Sequence, residues 1–298
     1  MLDVLSVSDM CVDLVISGNV RPEFHQVEQL VEDYSLEMGG SANIFASQFA
    51  KLGGQSGLVG YVGRDGFGIF LQEKLQKIGV DTSHIQVHPS LKTGISAILA
   101  EPSDRAILTY LGTIDAVTPQ GLSQGLLANC RHWHIASYFL LGQLRGYWKQ
   151  WLKQCQEDGI TISLDTNWDP ENRWEGVSDL LPLVDVFLPN EAEARGIAGE
   201  QEVRKAAEKL SALGPLVVVK SGEKGSIACY QGELWECPPE TPQRIVDAVG
   251  AGDNFDAGFV FSWMRGKSIP ESLALATRCA VSSLGAAGGI EGQLLFVD

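Results

Sequence analysis

The strongest constraint on the fold is an alternation of short apolar runs with helical stretches along most of the chain. Beyond residue 116, four apolar runs end in polar residues: HWHIAS, TISLDTN, VDVFLPN and LVVVKSG. The same order of strand, turn and helix occurs earlier, between Leu58 and Ile78. This repeat is typical of βαβ units and predicts a doubly wound α/β core with a parallel sheet. Such sheets bind ligands at the carboxyl ends of their strands, where these polar residues lie.

A second feature is a glycine turn, Gly250-Ala251-Gly252, that precedes the first turns of a predicted helix. The first N–H groups of a helix have no partner within it and lie at the positive end of its dipole, so this turn predicts an anion site. Asp253 would repel an anion unless it takes a proton from a hydroxyl that attacks the anion. The pattern therefore indicates phosphoryl transfer to an alcohol, with Asp253 as the general base. The alternative is that Asp253 only caps the helix.

Length and charge limit the other classes of function. A chain of 298 residues can form one large α/β domain, or a domain with a small appendage. The formal net charge of −15 argues against nucleic acid or an anionic membrane as a partner, because both require basic patches. The six cysteines show no metal-ligand spacing, and no apolar leader or membrane-length apolar run occurs. These features predict a cytoplasmic protein with reduced cysteines.

Two segments resemble the signatures of the ribokinase-like, or PfkB, carbohydrate kinase family. DAVGAGDNFDAG, from Asp247 to Gly258, fills every fixed position of the C-terminal pattern D-T/A-x-G-A-G-D-x-F-x-x-G. MGGSANIFASQFAKLGGQSGLVGYVGRDGFG, from Met38 to Gly68, resembles the N-terminal signature. The resemblance implies a mostly parallel central sheet flanked by helices, in three α/β/α layers, with a small β-sheet lid.

The resemblance also divides the chain into core and lid. It assigns residues 1–12, 39–92 and 114–298 to the core that binds nucleotide and substrate, and residues 13–38 and 93–113 to the lid. The residues themselves agree, since the first lid segment shows short strands bounded by turns rather than helical periodicity. In the second, two alternating stretches flank Glu101-Pro102-Ser103-Asp104, which is a hairpin signal. A lid excludes water, which would otherwise hydrolyse ATP.

The resemblance gives individual residues a role in binding the acceptor. The residues expected to bind a sugar are Asp9, Asp13, Gly39, Gly40, Asn43, Arg105, Tyr110, Asp165 and Asn167. Each aspartate near the first strand could instead form a turn. We expect Ser41 to cap the helix that follows Gly40, with Phe45, Phe49 and Leu52 on its buried face. Two departures from the family are Ser8, where glycine is usual, and Asn43, which lies closer to the glycine pair than in ribokinases.

Further residues are expected to bind nucleotide and metal. The loop after the strand LVVV resembles the family's K-x-G-x-x-G, which implies that Lys220, Gly222 and Gly225 lie on the nucleotide side, together with Asp247. The segment LPNEAEA resembles the motif N-x-x-E, which implies that Asn190 and Glu193 organise Mg²⁺ and its waters. A capping Asn190 with a first-turn Glu193 is the alternative. In the family, the final segment CAVSSLGAAGGIEG borders the adenine and often a monovalent cation, which leaves a K⁺ site open.

We expect an ATP-dependent kinase that phosphorylates a hydroxyl of a small sugar or sugar-like molecule. The amides of Ala251, Gly252 and Asp253 would form the anion hole. No basic cluster marks the sugar site, so a neutral substrate is favoured over a phosphosugar. The alternatives are a nucleoside kinase, with Tyr110, Tyr138 and Phe139 around the base, and a non-catalytic sugar-binding regulatory protein. Lid strands in this family sometimes pair between subunits, which leaves a homodimer open.

Overall fold

A nine-stranded sheet forms the centre of the protein, and a second, four-stranded sheet lies beside it. The computed structural model describes residues 1–101, 105–122 and 124–296. Within these ranges the strands are β1 (Leu2–Val7), β2 (Cys11–Ser17), β3 (Asp33–Met38), β4 (Ser56–Val62), β5 (Asp81–Val87), β6 (Gly94–Ala100), β7 (Arg105–Tyr110), β8 (Cys130–Ile135), β9 (Thr161–Leu164), β10 (Val186–Phe187), β11 (Leu216–Lys220), β12 (Ser226–Tyr230) and β13 (Glu233–Cys237). The helices are α1 (Ser41–Lys51), α2 (Gly66–Ile78), α3 (Gln124–Leu127), α4 (Trp148–Glu157), α5 (Glu191–Ala198), α6 (Val203–Ser211), α7 (Ala251–Trp263) and α8 (Ile269–Ser283).

The large sheet is mostly parallel, as the sequence predicts. Its strand order is β13-β12-β11-β10-β9-β8-β1-β4-β5, and all neighbours from β11 to β5 pair in parallel. Only β12 and β13 at one edge are antiparallel. The carboxyl ends of β1, β8, β9, β10 and β11 therefore lie side by side along one edge of the sheet.

Two apolar layers cover the sheet because successive side chains of a strand point to opposite faces. Leu5 of β1 packs in a cluster with Trp133 and Trp148, which also contains residues of α4, α5 and α6. Val4, the preceding residue, packs instead with Phe45 and Phe259, among residues of α1, α7 and α8. Helices on both faces give the three-layer α/β/α architecture.

The small sheet is built from two separate segments of the chain. Its strand order is β3-β2-β6-β7, with β2 and β6 parallel and the outer pairs antiparallel. The antiparallel pairing of β6 with β7 agrees with the hairpin signal, while the turn residues Pro102, Ser103 and Asp104 lie outside the described residues. Every residue of β7 is exposed.

Helix α1 begins at Ser41, but its capping differs from the prediction. Gly40 occupies the N-cap position with a φ of 86°, and Ser41 does not cap the helix. The carboxylate of Asp9 instead accepts the N–H groups of Ser41 and Ala42, at 3.0 and 3.1 Å. The expected buried face is confirmed, because Phe45, Phe49 and Leu52 are all inaccessible. None of the helices in the described ranges has the length and apolar content needed to cross a bilayer.

Candidate active site

The site is organised around the start of helix α7. Gly250 adopts a left-handed conformation, with a φ of 72°. A Cβ at this position would lie 2.8 Å from the Cα of Gly289, so the turn requires glycine for its conformation and for its space. The amide of Ala251 donates weakly to the carbonyl of Ala248, at 3.4 Å. Among the described residues no acceptor takes the N–H of Gly252 or Asp253, and these two amides remain free for an anion.

Asp253 lies in the first turn of α7 and does not cap it. No side chain makes a capping hydrogen bond at this helix start, so the capping alternative has no support. The residue is only 8% exposed. Burial raises the pKa of Asp253 to about 8, with a further contribution from the charge of Asp165 and opposition from Lys220. A carboxyl group with a pKa near neutrality is suited to take up and release a proton during catalysis.

A hydrogen-bonded network surrounds Asp253 on the side of β1, β8 and β9. Ser41 lies close enough to Asp253 for its hydroxyl to lower the pKa of that carboxyl group. The hydroxyl of Ser41 accepts from the side-chain amide of Asn167 at 3.0 Å. The oxygen of that amide accepts the backbone N–H of Ser137 at 2.7 Å, and the hydroxyl of Ser137 donates to Asp9 at 2.7 Å. The network thus links the loops that follow three neighbouring strands to the start of α1.

The glycine pair before α1 lies among buried polar side chains beside this network. Asn43 is buried, and its amide donates to the carbonyl of Gly39 at 2.8 Å while its oxygen accepts from Ser8 at 2.6 Å. The serine that departs from the family pattern therefore braces Asn43. A Cβ at Gly39 would collide with the carboxylate of Asp13, so this carboxylate lies against the turn. The roles of these residues in binding a substrate stay predictions.

Asp13 faces a strongly negative environment. Burial raises its pKa to about 7, and the carboxylates of Asp9, Asp247 and Glu37 add to the rise. Arg105 acts in the opposite direction, from the exposed strand β7. The structure thus brings Arg105 of the small sheet close enough to influence Asp13, whereas Tyr110 on the same strand is half exposed.

Lys220 ends strand β11 and lies beneath the start of α7. Its ammonium is 2.7 Å from Asp165 and 2.9 Å from Asp256, and all three side chains are nearly inaccessible. Although burial alone would lower the pKa of Lys220, the two carboxylates raise it, so the ammonium stays charged. The sequence predicts that Asp165 binds a sugar. In the structure, its carboxylate forms an ion pair with Lys220. Asp256 was not predicted at all.

An apolar cavity of about 480 Å³ is lined in part by Gly252, the residue before Asp253. The loop Lys220 to Gly225 borders it, as the resemblance implies for the nucleotide side. The other lining residues are mostly apolar: Pro239, Pro242, Ile245, Ala248, Ala251, Phe255, Ala280, Val281 and Leu284. A cavity of this size and character is suited to a planar aromatic ring such as adenine. Asp247, which precedes the lining residue Ala248, accepts N–H groups from Val249 and Gly288, both at 3.0 Å.

Asn190 and Glu193 form a capping box at the start of α5. The side chain of Asn190 accepts the N–H of Glu193 at 2.9 Å, and Glu193 accepts the N–H of Asn190 at 2.9 Å. Burial raises the pKa of Glu193 to about 7, and the nearby Asp165 adds to the rise. The capping interpretation therefore applies to this pair. An additional role toward Mg²⁺ stays a prediction, and the described residues contain no cluster of three or more metal-binding side chains.

Three site residues were missed by sequence reasoning. Ser137 follows β8 with no motif around it, and only its left-handed backbone and its contact with Asp9 mark it. Ser41 was expected to cap a helix, and its side chain instead contacts Asn167. Asp256 lies inside the C-terminal signature at a position where the family pattern fixes no residue. A charged residue in the middle of the apolar helix α7 was the signal that could have identified it.

Comparisons with known proteins agree with this architecture. The model of the pfkB family of carbohydrate kinases matches residues 1–294. The fructoselysine 6-kinase of Escherichia coli (strain K12) is 28% identical over 290 residues, covering 95% of this chain and 98% of that protein. The cytidine kinase of Thermococcus kodakarensis is 29% identical over 252 residues, covering 80% of this chain and 84% of that protein.

The solved structures show the same fold. The ribokinase of Arabidopsis thaliana, complexed with ribose and ATP, superposes with a TM-score of 0.83 at 23% identity, covering 98% of this chain and 95% of that one. The fold is therefore that of the ribokinase-like kinases. The chain belongs to the pfkB family and is an ATP-dependent carbohydrate kinase.

Proposed function

We propose that the protein transfers the γ-phosphoryl group of ATP to a hydroxyl of a small neutral sugar or sugar-like molecule, with Asp253 as the general base. The observation that carries the proposal is the position of Asp253. It follows Gly252, which lines the apolar cavity, and its side chain lies near Ser41, which belongs to the hydrogen-bonded network of Asn167, Ser137 and Asp9. A base between a nucleotide cavity and an acceptor pocket is where a transferred phosphoryl group requires one.

The proposed phosphoryl transfer forms one bond to phosphorus, breaks another and moves one proton. The acceptor oxygen forms a bond to the γ-phosphorus while the bond from that phosphorus to the bridging oxygen of ADP breaks. Asp253 receives the proton of the hydroxyl, and the amides of Gly252 and Asp253 stabilise the negative charge on the transferred group. Ala251 contributes less than expected, because its N–H is already directed toward Ala248.

The charges of the acceptor pocket support a neutral substrate. Asp9, Asp247 and Glu37 contribute negative charge around Asp13, with Arg105 as the opposing group. A phosphate on the substrate would be repelled there, whereas sugar hydroxyls can donate to carboxylates. We propose that Asp9, Asp13, Gly39, Gly40 and Asn43 shape this pocket. In this arrangement Asp9 acts through the start of α1, whose N–H groups it already accepts.

The residues present fit a hydrated Mg²⁺ better than a protein-enclosed one. Glu193 and Asn190 offer oxygen atoms near Asp165, but their mutual hydrogen bonds leave them suited to water ligands. Bound to the nucleotide phosphates, Mg²⁺ neutralises part of their charge. We propose Lys220, Gly222, Gly225 and Asp247 as the nucleotide side of the site. The loop that contains Gly288 is the proposed neighbour of a monovalent cation, which K⁺ and Na⁺ titrations of activity would test.

The nucleoside kinase alternative is favoured by one comparison and weakened by the structure. The cytidine kinase relative shows that the family includes nucleoside kinases. However, Tyr138 and Phe139 are buried against each other, with ring centroids 5.0 Å apart, and Arg145 lies over both rings. They are therefore not free to form a slot for a base. A non-catalytic regulatory protein would have no need for the buried Asp253.

Consumption of ATP across a panel of acceptors tests the proposal. Pentoses, hexoses, keto-acid sugars, fructoselysine and nucleosides would be assayed with Mg·ATP, with the Asp253→Asn variant as the inactive control. We expect one sugar or sugar-like acceptor to stimulate turnover in the wild type alone. A preference for nucleosides would establish the alternative. Tight binding of a sugar without ATP consumption would establish a regulatory protein.

The role of the small sheet as a lid, and the pairing of two copies through it, are also proposals. We propose that residues 13–38 and 93–113 act as the lid, and that two copies pair through it in the cytoplasm. Ile107, Leu108 and Tyr110 of β7 and Tyr34 of β3 are exposed apolar side chains on this sheet. Sedimentation of the wild type should then give a dimer, and Leu108→Glu a monomer. A monomeric wild type at high concentration would exclude pairing through the lid.

A further inference from the structure

We propose that Asp256 is a positioning residue that holds the ammonium of Lys220 under the first turn of α7, where the ammonium contacts the terminal phosphates of ATP. The inference rests on the proposed function, because it takes the start of α7 as the phosphate site. It assigns a task to a buried carboxylate that the proposed reaction does not otherwise use.

The geometry places Lys220 at the phosphate site rather than at the adenine. A Cβ on Gly252 would lie 3.6 Å from the Nζ of Lys220, and Gly252 carries one of the two free amides of the helix start. The lysine side chain also lines the nucleotide cavity. Its ammonium therefore lies beside the amides that are proposed to bind the transferred group.

Two carboxylates fix the ammonium in this place. Asp165 approaches from the end of β9 at 2.7 Å, and both oxygens of Asp256 approach from α7 at 2.9 and 3.1 Å. Because the two oxygens of Asp256 can share one N–H, the ammonium keeps one of its three donors for a phosphate oxygen. Because Asp256 is on the same helix as Gly252, it fixes the lysine relative to the anion hole itself.

The charge of the cluster is compatible with an incoming phosphate. Two ionised carboxylates around one ammonium would repel it. Burial and the neighbouring Asp165 raise the pKa of Asp256 well above its ordinary value, although Lys220 opposes them. The raised pKa favours the neutral form of Asp256, which reduces the negative charge of the cluster of Asp165, Lys220 and Asp256.

Nucleotide affinity gives a test that does not depend on finding the acceptor. Calorimetry would compare ATP with AMP for the wild type, Lys220→Met, Asp256→Leu and the double variant. Loss of a charge-assisted contact should lower the ATP affinity of Lys220→Met by about 10-fold or more, with AMP affinity nearly unchanged. Asp256→Leu should show a smaller loss in the same direction. Lys224→Met removes an exposed lysine of the same loop, paired with Glu191, and serves as the matched control.

The double variant separates positioning from support of the fold. If Asp256 acts through Lys220, adding Asp256→Leu to Lys220→Met should cost less than about 3-fold further in ATP affinity. Asp256→Asn, which keeps an oxygen that can accept from the ammonium, should retain most of the ATP preference. If Asp256→Leu lowers the melting temperature but leaves the ratio of ATP to AMP affinity unchanged, the proposal is wrong. It is also wrong if the fold-losses of the two single variants multiply in the double variant. If the leucine variant does not fold, Asp256→Ala takes its place.

The outcomes also distinguish this proposal from the proposed function. If the wild type binds ATP more tightly than AMP but phosphorylates no acceptor, the proposed function is wrong. The role of Asp256 is then still decided by the ratios of ATP to AMP affinity in the variants. If the wild type is an active kinase but Lys220→Met keeps the full preference for ATP over AMP, the proposed function stands and the role of Asp256 is wrong.

Discussion

The backbone N–H of Ser137 donates to the side chain of Asn167 at 2.7 Å, and both residues adopt a left-handed conformation with a φ of 53°. They end neighbouring strands, β8 and β9. A residue other than glycine in this region costs on the order of 1–3 kcal/mol and persists only where its surroundings enforce it. The pair therefore marks a place where conformation has been selected for the geometry of the site rather than for stability.

Replacement of Asn167 should separate these two effects. Asn167→Gly relieves the backbone but removes the hydrogen bonds to Ser41 and Ser137, so kcat/KM for the acceptor should fall by about 10-fold or more. Asn167→Ala should lose the same activity and be less stable than the glycine variant by about 1 kcal/mol, because alanine keeps the strain. Steady-state kinetics and thermal unfolding measure the two quantities. Wild-type kinetics in the glycine variant would show that Asn167 has no role in acceptor binding.

Removal of the base should affect turnover and leave nucleotide binding intact. We expect Asp253→Asn to lower kcat by about 100-fold or more with ATP affinity nearly unchanged, because the amide keeps the shape of the carboxyl group but cannot accept the proton. Turnover numbers and calorimetric titration with ATP measure the two. Turnover within a few-fold of the wild type would show that another group is the base.

The same substitution should stabilise the protein at high pH. Since the pKa of Asp253 is raised to about 8 in the folded state from an ordinary value of 3.8, folding becomes less favourable as the pH rises through this interval. Asp253→Asn carries no such charge, so its melting temperature should exceed that of the wild type by several degrees above pH 8. The difference should shrink as the pH falls toward 5. An equal difference at both ends of this range would contradict the raised pKa.

Gly250→Ala should damage both fold and activity. The left-handed φ of 72° and the short distance to Gly289 leave no room for a methyl group. We expect a loss of stability of about 1–3 kcal/mol, with kcat reduced because the amides of α7 shift. Gly266→Ala, at a φ of 73° with open space around it, is the matched control for conformation alone. Equal effects of the two substitutions would show that the contact with Gly289 is unimportant.

The sequence predicted the elements of the site better than the contacts between them. The parallel core and the helix after Gly250 follow from local patterns, since apolar runs and glycine turns have a fixed meaning within a few residues. The partners of Asp9 and Lys220 do not follow from local patterns. Asp9 contacts Ser137, 128 residues away, and Lys220 contacts Asp165, 55 residues away.

Contacts between residues so far apart in the chain form only because the strand order of the sheet brings the loops at the strand ends together. Asp165 shows the limit of local reasoning. Its place at the end of β9 identified it as a site residue, but whether a carboxylate there faces a sugar or a lysine depends on β11, two strands further along the sheet. The capping of α1 was predicted wrongly for the same reason, because the carboxylate that accepts its first N–H groups is Asp9, in the connection between β1 and β2.

Two of the connections between the small sheet and the core are very short. Three residues, Ser8 to Met10, link β1 to β2, and two, Gly39 and Gly40, link β3 to α1. One connection contains the carboxylate that holds the first N–H groups of α1, and the other is the turn against Asp13. If the small sheet is the lid, a hinge movement of it should therefore also shift the residues proposed to bind the acceptor, and opening should weaken the hold on the product.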